Sequence, residues 1–354
     1  MNDETIASAR AVIQRGLAER AFPAAAVNVG NRAGATWREA FGHLSYADLA
    51  PATTTDTLFD LASLTKVIAT ASLVMRQIAQ GRLGLDTRVG DVVDEWKDGD
   101  RARVTIRHLL DHSSGLPARI PVWQIATNRA SAERAIIDAQ LERPPGAVAV
   151  YSDVGFMLLG LLLERLSNAP LDRQFRDLFA QSRDLLSQET SPIQYRPLAQ
   201  LYERTAPTEF DPWRRRVLCG EVHDENAAVL GGVAAHAGLF GTADAVGAFA
   251  RIVLETFRAA TVIGTPDIMR TFATRTALPG SSRALAWDTA LPTSSSGTRM
   301  NPTAIGHTGF TGTSLWIDWE RDFYAVLLTN RVHPTRANEK HVPLRGQFHD
   351  ALLA

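Results

Sequence analysis

Ser63 and Lys66, in the stretch Leu58-Phe59-Asp60-Leu61-Ala62-Ser63-Leu64-Thr65-Lys66, are the residues whose types and spacing most directly encode chemistry. Residues three apart share a helix face, so a lysine at that spacing can bring its amine to the serine hydroxyl. An apolar, extended segment runs into Ser63, and beyond it Val67, Ala71, Val74, Met75 and Ile78 recur at helical spacing until Gly81. Ser63 therefore falls at a helix N-terminus, where unpaired N–H groups favour negative charge developing beside them. The pair reads as a serine nucleophile with a base attached. Composition sharpens this: of 37 basic residues, only Lys66, Lys97 and Lys340 are lysine. Arginine cannot give up its proton in a protein and a desolvated lysine can, so a lysine kept at 66 marks a place where a removable proton is used. The competing reading of Lys66 is a solvated lysine on a helix surface.

Three other clusters carry reactive side chains. Pro144-Pro145-Gly146 breaks the chain ahead of Tyr151, and an apolar helix is expected over residues 154–166. Tyr151 thus sits at a loop-to-helix junction, from which it either projects into a cleft or packs in the core. His108 and His112 have the spacing of a zinc pair on a helix. No glutamate follows the first and no third ligand is evident, which favours structural histidines. Their helix is expected to be capped by Thr105 and to stop in a polar turn at Gly115. His223, Asp224, Glu225 and His236, within the glycine-rich stretches 220–227 and 231–242, read as a metal cluster or as a hydrogen-bonded scaffold. Their spacing fits no known metal site and favours the scaffold.

Several elements must position these residues. A helix capped by Asp3 is expected over 4–20, with strands over 25–30 and 36–42 joined at Asn31-Arg32-Ala33-Gly34. Strands are expected over 304–310, 313–319 and 323–330, the last two antiparallel across a tight turn, followed by a helix over 341–353. Thr242 and Asp244 open another helix, and residues 181–216 are polar without clear period. Strands near both ends with helices between them give an α/β (α+β) fold: an antiparallel sheet flanked by helices, with a mostly helical lobe inserted. Residues 1–65 and 290–354 would form a discontinuous α/β lobe and 66–289 the helical lobe, with the active site in the cleft between them.

The 354 residues are 45% hydrophobic and 21% charged, with a net charge of −1, a balance that attracts neither nucleic acid nor an anionic membrane. No uninterrupted apolar stretch reaches membrane-spanning length. The single cysteine, Cys219, excludes an internal disulfide framework and multi-cysteine zinc sites, and no metal or organic cofactor is implied. The start, Met1-Asn2-Asp3-Glu4-Thr5, is acidic with no apolar leader, which reads as cytoplasmic as written; a periplasmic or secreted chain trimmed of its leader would read the same.

Ser63-x-x-Lys66, Tyr151-Ser152-Asp153 and His307-Thr308-Gly309, in that order, resemble the signature of the penicillin-recognising serine hydrolases: class C β-lactamases, DD-peptidases of the same fold, family VIII esterases and related amidases. Residues 105–116 and 306–312 are also similar to stretches of that family. The resemblance implies that Ser63 is the acylated nucleophile, that Lys66 eases removal of its proton, and that Tyr151 takes that proton and returns it to the leaving group. It implies an oxyanion hole from the N–H groups of Ser63 and Phe310, with His307, Thr308 and Gly309 at the substrate. Two residues depart from the pattern. Asp153 stands where these enzymes usually carry asparagine, and its charge would pair with Lys66 or repel an anionic substrate. His307 replaces the lysine usual in β-lactamases, losing a fixed charge near neutral pH. Residues 206–209, 220–227 and 231–240 look like segments of members acting on cell-wall fragments, including N-acetylmuramyl-L-alanine amidases and DD-carboxypeptidases. The expected function is hydrolysis, through an acyl-enzyme, of a peptidoglycan-derived peptide or amide or of a small ester. A penicillin-binding sensor that acylates without turnover, and a carboxylesterase with little β-lactamase activity, are the alternatives.

Overall fold

A computed structural model describes residues 2–180 and 193–354. Its strands are β1 Ala24–Asn31, β2 Gly34–Gly42, β3 Phe59–Asp60, β4 Gln194–Tyr195, β5 Phe210–Asp211, β6 Arg216–Val217, β7 Leu239–Gly241, β8 Asp288–Thr289, β9 Ile305–Thr308, β10 Ser314–Asp318 and β11 Phe323–Thr329. Six of them form one antiparallel sheet in the order β2-β1-β11-β10-β9-β8. The sheet closes the chain on itself, because β1 pairs with β11 from Ala25↔Thr329 to Gly30↔Tyr324.

Side chains alternate across a strand, and here both faces are covered. Ala25, Val27 and Val29 of β1, with Ala325 and Leu327 of β11, face the helices Asp3–Ala18 and His341–Leu352, whose Val12, Ile13, Leu344 and Phe348 close that core. Ala24, Ala26, Val326 and Leu328 point the other way, into the main core shared with Val246, Phe249 and Val253 of helix Ala243–Thr256. That helix lies inside the segment expected to form the helical lobe, yet it packs on β1 and β11. Its apolar stripe matches the second face of the sheet, and β8, Asp288–Thr289, pairs with β9 in the same sheet.

A small sheet, β3-β7-β4, leads to the site. After β3 the chain turns into Lys66–Ala71, wound as a π-helix, and continues as the α-helix Ser72–Ala79. Periodicity predicts α-helix throughout; the wider winding is the kind of local departure found near functional sites. Other boundaries moved for identifiable reasons. Asn2, not Asp3, caps the first helix, accepting the Thr5 N–H at 2.8 Å. The helix after Thr105 ends at Leu110 rather than near Gly115, because Asp111 draws the Ser113 N–H and O–H onto its side chain and His112 takes a left-handed φ of 62°. The apolar helix spans Asp153–Ser167, capped by Ser152 and stopped by left-handed Asn168. Of the polar stretch 181–216, residues 181–192 lie outside the described residues.

Candidate active site

Three backbone hydrogen bonds aim Ser63. Asp60 accepts the Ala62 N–H at 2.8 Å and the His223 N–H at 2.7 Å, and the Leu61 N–H reaches Leu239 O at 2.9 Å. Ala62 consequently holds a φ of 47°, unusual for a residue with a side chain, immediately before the serine. The helix then presents Lys66 back toward it.

Ser63 Oγ lies 3.0 Å from Lys66 Nζ and 3.0 Å from the Tyr151 hydroxyl. Lys66 is fully buried, and its remaining N–H bonds go to Asp153 Oδ1 at 2.8 Å and His236 O at 3.2 Å. Burial opposes the lysine charge, but the Asp153 carboxylate and Tyr151 outweigh it, so the Lys66 pKa is raised. Burial likewise opposes ionisation of Asp153, and Lys66 and His236 outweigh it, so the Asp153 pKa is lowered. The two form a charged pair through neutral pH. Asp153, expected at the substrate, is 5% exposed and spent on Lys66, with Arg119 Nε 3.4 Å from its other oxygen. Its charge is neutralised within the wall of the site, so the expected repulsion of an anionic substrate has no free charge behind it.

Tyr151 is held by His112, one of the two histidines the spacing favours as structural. His112 accepts the Ser152 N–H on Nδ1 at 3.0 Å, its carbonyl accepts the Val150 N–H at 2.9 Å, and its ring packs on the Tyr151 ring at 4.6 Å. His108 turns elsewhere, accepting the Thr105 N–H at the start of its own helix. The two are not a metal pair. Ser152 Oγ donates to Pro117 O at 2.6 Å and accepts the Gly155 N–H, which removes it from the chemistry.

The segment after β9 is stapled to the chain just before the serine. Thr311 Oγ1 donates to Asp60 O at 2.7 Å and Thr313 Oγ1 to Leu61 O at 3.1 Å. A Cβ on Gly309 would lie 2.1 Å from Thr313 Oγ1 and 2.7 Å from Leu61 O, so only glycine permits this approach. Among the described residues, the N–H groups of Ser63 and Phe310 donate to no protein acceptor, leaving two donors for a developing oxyanion. His307 Nδ1–H donates to Thr308 O at 2.8 Å. Burial, then Arg283 and Lys66, push its pKa well below the usual histidine value, so the residue is a neutral imidazole.

Ser63, Tyr151, His307, Thr308, Gly309 and Phe310 line one cleft of about 310 Å³. Arg119, Arg283, Arg331 and Arg345 line it too, and among the described residues Glu339 is the one carboxylate in that lining. Sequence reasoning missed these four: in a chain with arginine nearly everywhere, nothing local distinguishes them. The 220–241 segments act as scaffold. His236 Nε2 meets Asp224 Oδ1 at 2.8 Å, and Arg336 holds both Glu209 and Glu225. His223 Nε2 approaches Glu209 Oε1 at 3.1 Å, out of line for a hydrogen bond. No group of three or more His, Cys, Asp or Glu gathers to hold a metal among the described residues.

The Beta-lactamase family model matches residues 9–348. A provisionally named D-alanyl-D-alanine carboxypeptidase of Escherichia coli (strain K12) is 30% identical over 328 residues, covering 82% of this chain and 73% of its own length. Two solved structures share the fold. EstCE1, a hydrolase with promiscuous acyltransferase activity, superposes with a TM-score of 0.77 at 20% identity over 99% of both chains. A penicillin-binding protein homologue from Caulobacter crescentus gives 0.76 at 18% identity over 99% of this chain and 98% of its own. A family match running from the first helix to the last, over a chain that places a serine, a lysine and a tyrosine within hydrogen-bonding reach in one cleft, makes the chain a member of the beta-lactamase family of serine hydrolases.

Proposed function

We propose that the protein hydrolyses an amide bond of a small peptide derived from peptidoglycan, through an acyl-enzyme on Ser63. The observation that carries this is Ser63 Oγ held 3.0 Å from both Lys66 Nζ and Tyr151 Oη at the floor of an arginine-lined cleft. In the resting site Lys66 and the Tyr151 hydroxyl both face Ser63 as donors. Catalysis requires that this pair shed one proton, after which either the lysine amine or the tyrosine oxygen accepts the serine proton. The alkoxide attacks the scissile carbonyl, the Ser63 and Phe310 N–H groups take up the oxyanion, and Tyr151 returns the proton to the departing amine. Water then attacks the acyl-enzyme along the same route.

The cationic lining suits a substrate with a free carboxylate, as a cell-wall peptide fragment has. The name of the E. coli relative supports the same substrate class. A second reading, hydrolysis of small esters, is favoured by the neutral His307, which offers no charge to a β-lactam carboxylate. A panel of muramyl peptides, p-nitrophenyl esters and nitrocefin, assayed on one preparation with Ser63→Ala as control, separates the readings. Peptide hydrolysis with weak nitrocefin turnover supports the proposal; ester turnover alone supports the second reading. A labelled penicillin that stays on Ser63 for hours, with none of the panel turned over, means a sensor.

A further inference from the structure

Of the two stretches for which sequence reasoning gave no catalytic part, 231–241 forms a splint along the helix that carries Lys66, and 220–227 anchors it through Asp224. Thr70 Oγ1 donates to Ala235 O at 2.6 Å, and the Leu239 N–H reaches Thr65 Oγ1 at 3.2 Å. Tyr195 fixes the same strip from behind, its hydroxyl on Ala234 O at 3.1 Å. Between these points the His236 carbonyl meets Lys66 Nζ at 3.2 Å.

We propose that His236, anchored by Asp224, is a positioning residue that aims the Lys66 amine at Ser63. The inference rests on the reading of Ser63 as nucleophile with Lys66 beside it as base. A charged lysine has three N–H bonds; a lysine that accepts a proton has two and a lone pair. Lys66 Nζ makes three hydrogen bonds, to Ser63 Oγ, Asp153 Oδ1 and His236 O, with the Tyr151 hydroxyl on the Ser63 side of it. The nitrogen is tetrahedral and Cε takes one direction. When two N–H bonds stay on Asp153 and His236 O, the lone pair has one direction left, toward Ser63 Oγ. Without the carbonyl the amine can rotate, put an N–H on the serine and turn its lone pair away. Asp153 alone cannot fix that rotation.

The carbonyl itself is held by the side chain of its own residue. His236 is 1% exposed, and its Nε2 lies 2.8 Å from Asp224 Oδ1. The same oxygen accepts the Ala227 N–H at 2.8 Å, tying the anchor to helix Glu225–Val229. Misplacement of a catalytic group by about 1 Å costs on the order of 100-fold in rate.

The experiment uses the full chain, p-nitrophenyl acetate as the neutral probe, and thermal melting as a fold check. His236→Leu fills the buried volume without the hydrogen bond, His236→Gln restores a donor that reaches Asp224, and Asp224→Ala removes the anchor from the other side. The inference requires kcat to fall at least about tenfold in His236→Leu with KM within about twofold, and His236→Gln to recover most of the loss. Asp224→Ala should lose a similar factor, and the double variant no more than either single one, since both act through one contact. Wild-type kcat in His236→Leu, a change confined to KM, or additive losses would overturn it. If Ser63→Ala retained activity, the underlying reading would fall; if Ser63→Ala is inactive while His236→Leu matches wild type, only the positioning role falls. Should His236→Leu not melt cooperatively, the comparison of His236→Gln with Asp224→Ala decides the same point.

Discussion

Replacing Asp153 with asparagine tests the electrostatics of the site most directly. Asparagine keeps an oxygen for one Lys66 N–H and removes only the charge. At the observed 2.8 Å, unit charges attract by about 6 kcal/mol at an effective dielectric near 20. Even if only about a quarter of that survives relaxation, the balance between lysine ammonium and amine moves about tenfold toward the amine. The result does not depend on whether lysine or tyrosine finally takes the serine proton, because a nearby negative charge opposes loss of a proton from the pair in either case. The acidic limb of the kcat/KM profile for a neutral ester should therefore move to lower pH, and the rate measured below the wild-type limb should rise at least about tenfold. Stability should move oppositely. Lys66, with a pKa raised from 10.5, stabilises the fold fully below that value and loses its contribution as pH rises through the folded value. Asp153, with a pKa lowered from 3.8, contributes above that value and loses its share as pH falls through the folded one. Between these limits Asp153→Asn should cost on the order of 3 kcal/mol, shrinking toward both extremes. A pH–rate profile superimposable on wild type would refute the argument.

Three further outcomes are expected. A fluorophosphonate probe should attach to Ser63, with labelling and hydrolysis both lost in Ser63→Ala; Ser152→Ala should keep labelling while losing about 1 kcal/mol in a melting experiment, since its hydroxyl caps a helix. Lys66→Arg should retain less than about a tenth of wild-type kcat, a loss above roughly 1.4 kcal/mol, and a smaller loss would make the lysine purely electrostatic. Gly309→Ala should lower kcat at least about tenfold while Gly280→Ala, at a position open to solvent, does not, because a methyl at 309 must push Leu61 O and the oxyanion donors apart; equal activities would show that the staple does not set the hole.

That Ser63, Lys66 and Tyr151 belong to one site was legible because their spacing and flanking breakers are local facts. So were the C-terminal strands, short apolar runs bounded by turns, which the fold buries on both faces. What escaped is information carried by distant partners. Helix Ala243–Thr256 reads as one more amphipathic helix, and only the second face of the sheet, built from residues near both ends of the chain, reveals where it goes. His112 carries the spacing of a ligand, yet its task is to hold the two backbone neighbours of Tyr151. For Asp153 the sequence offers two fates, pairing with Lys66 or facing the substrate, and only the meeting of two distant elements selects the first. The π-helical turn leaves no trace in periodicity over so few residues.

The pairing of Ala25 with Thr329 bears on how the protein is made. A ribosome delivers β1 and β2 first, and that hairpin emerges with one long edge of apolar, unpaired backbone. The strand that satisfies this edge, β11, follows only after β3 to β10, so the central sheet stays open while those elements are made. In the interval the edge is open to pairing with another nascent chain. Yield in a heterologous host should thus depend on how fast β9 to β11 follow the elements before them, and chaperones that shield extended segments should help more than those acting on folded intermediates.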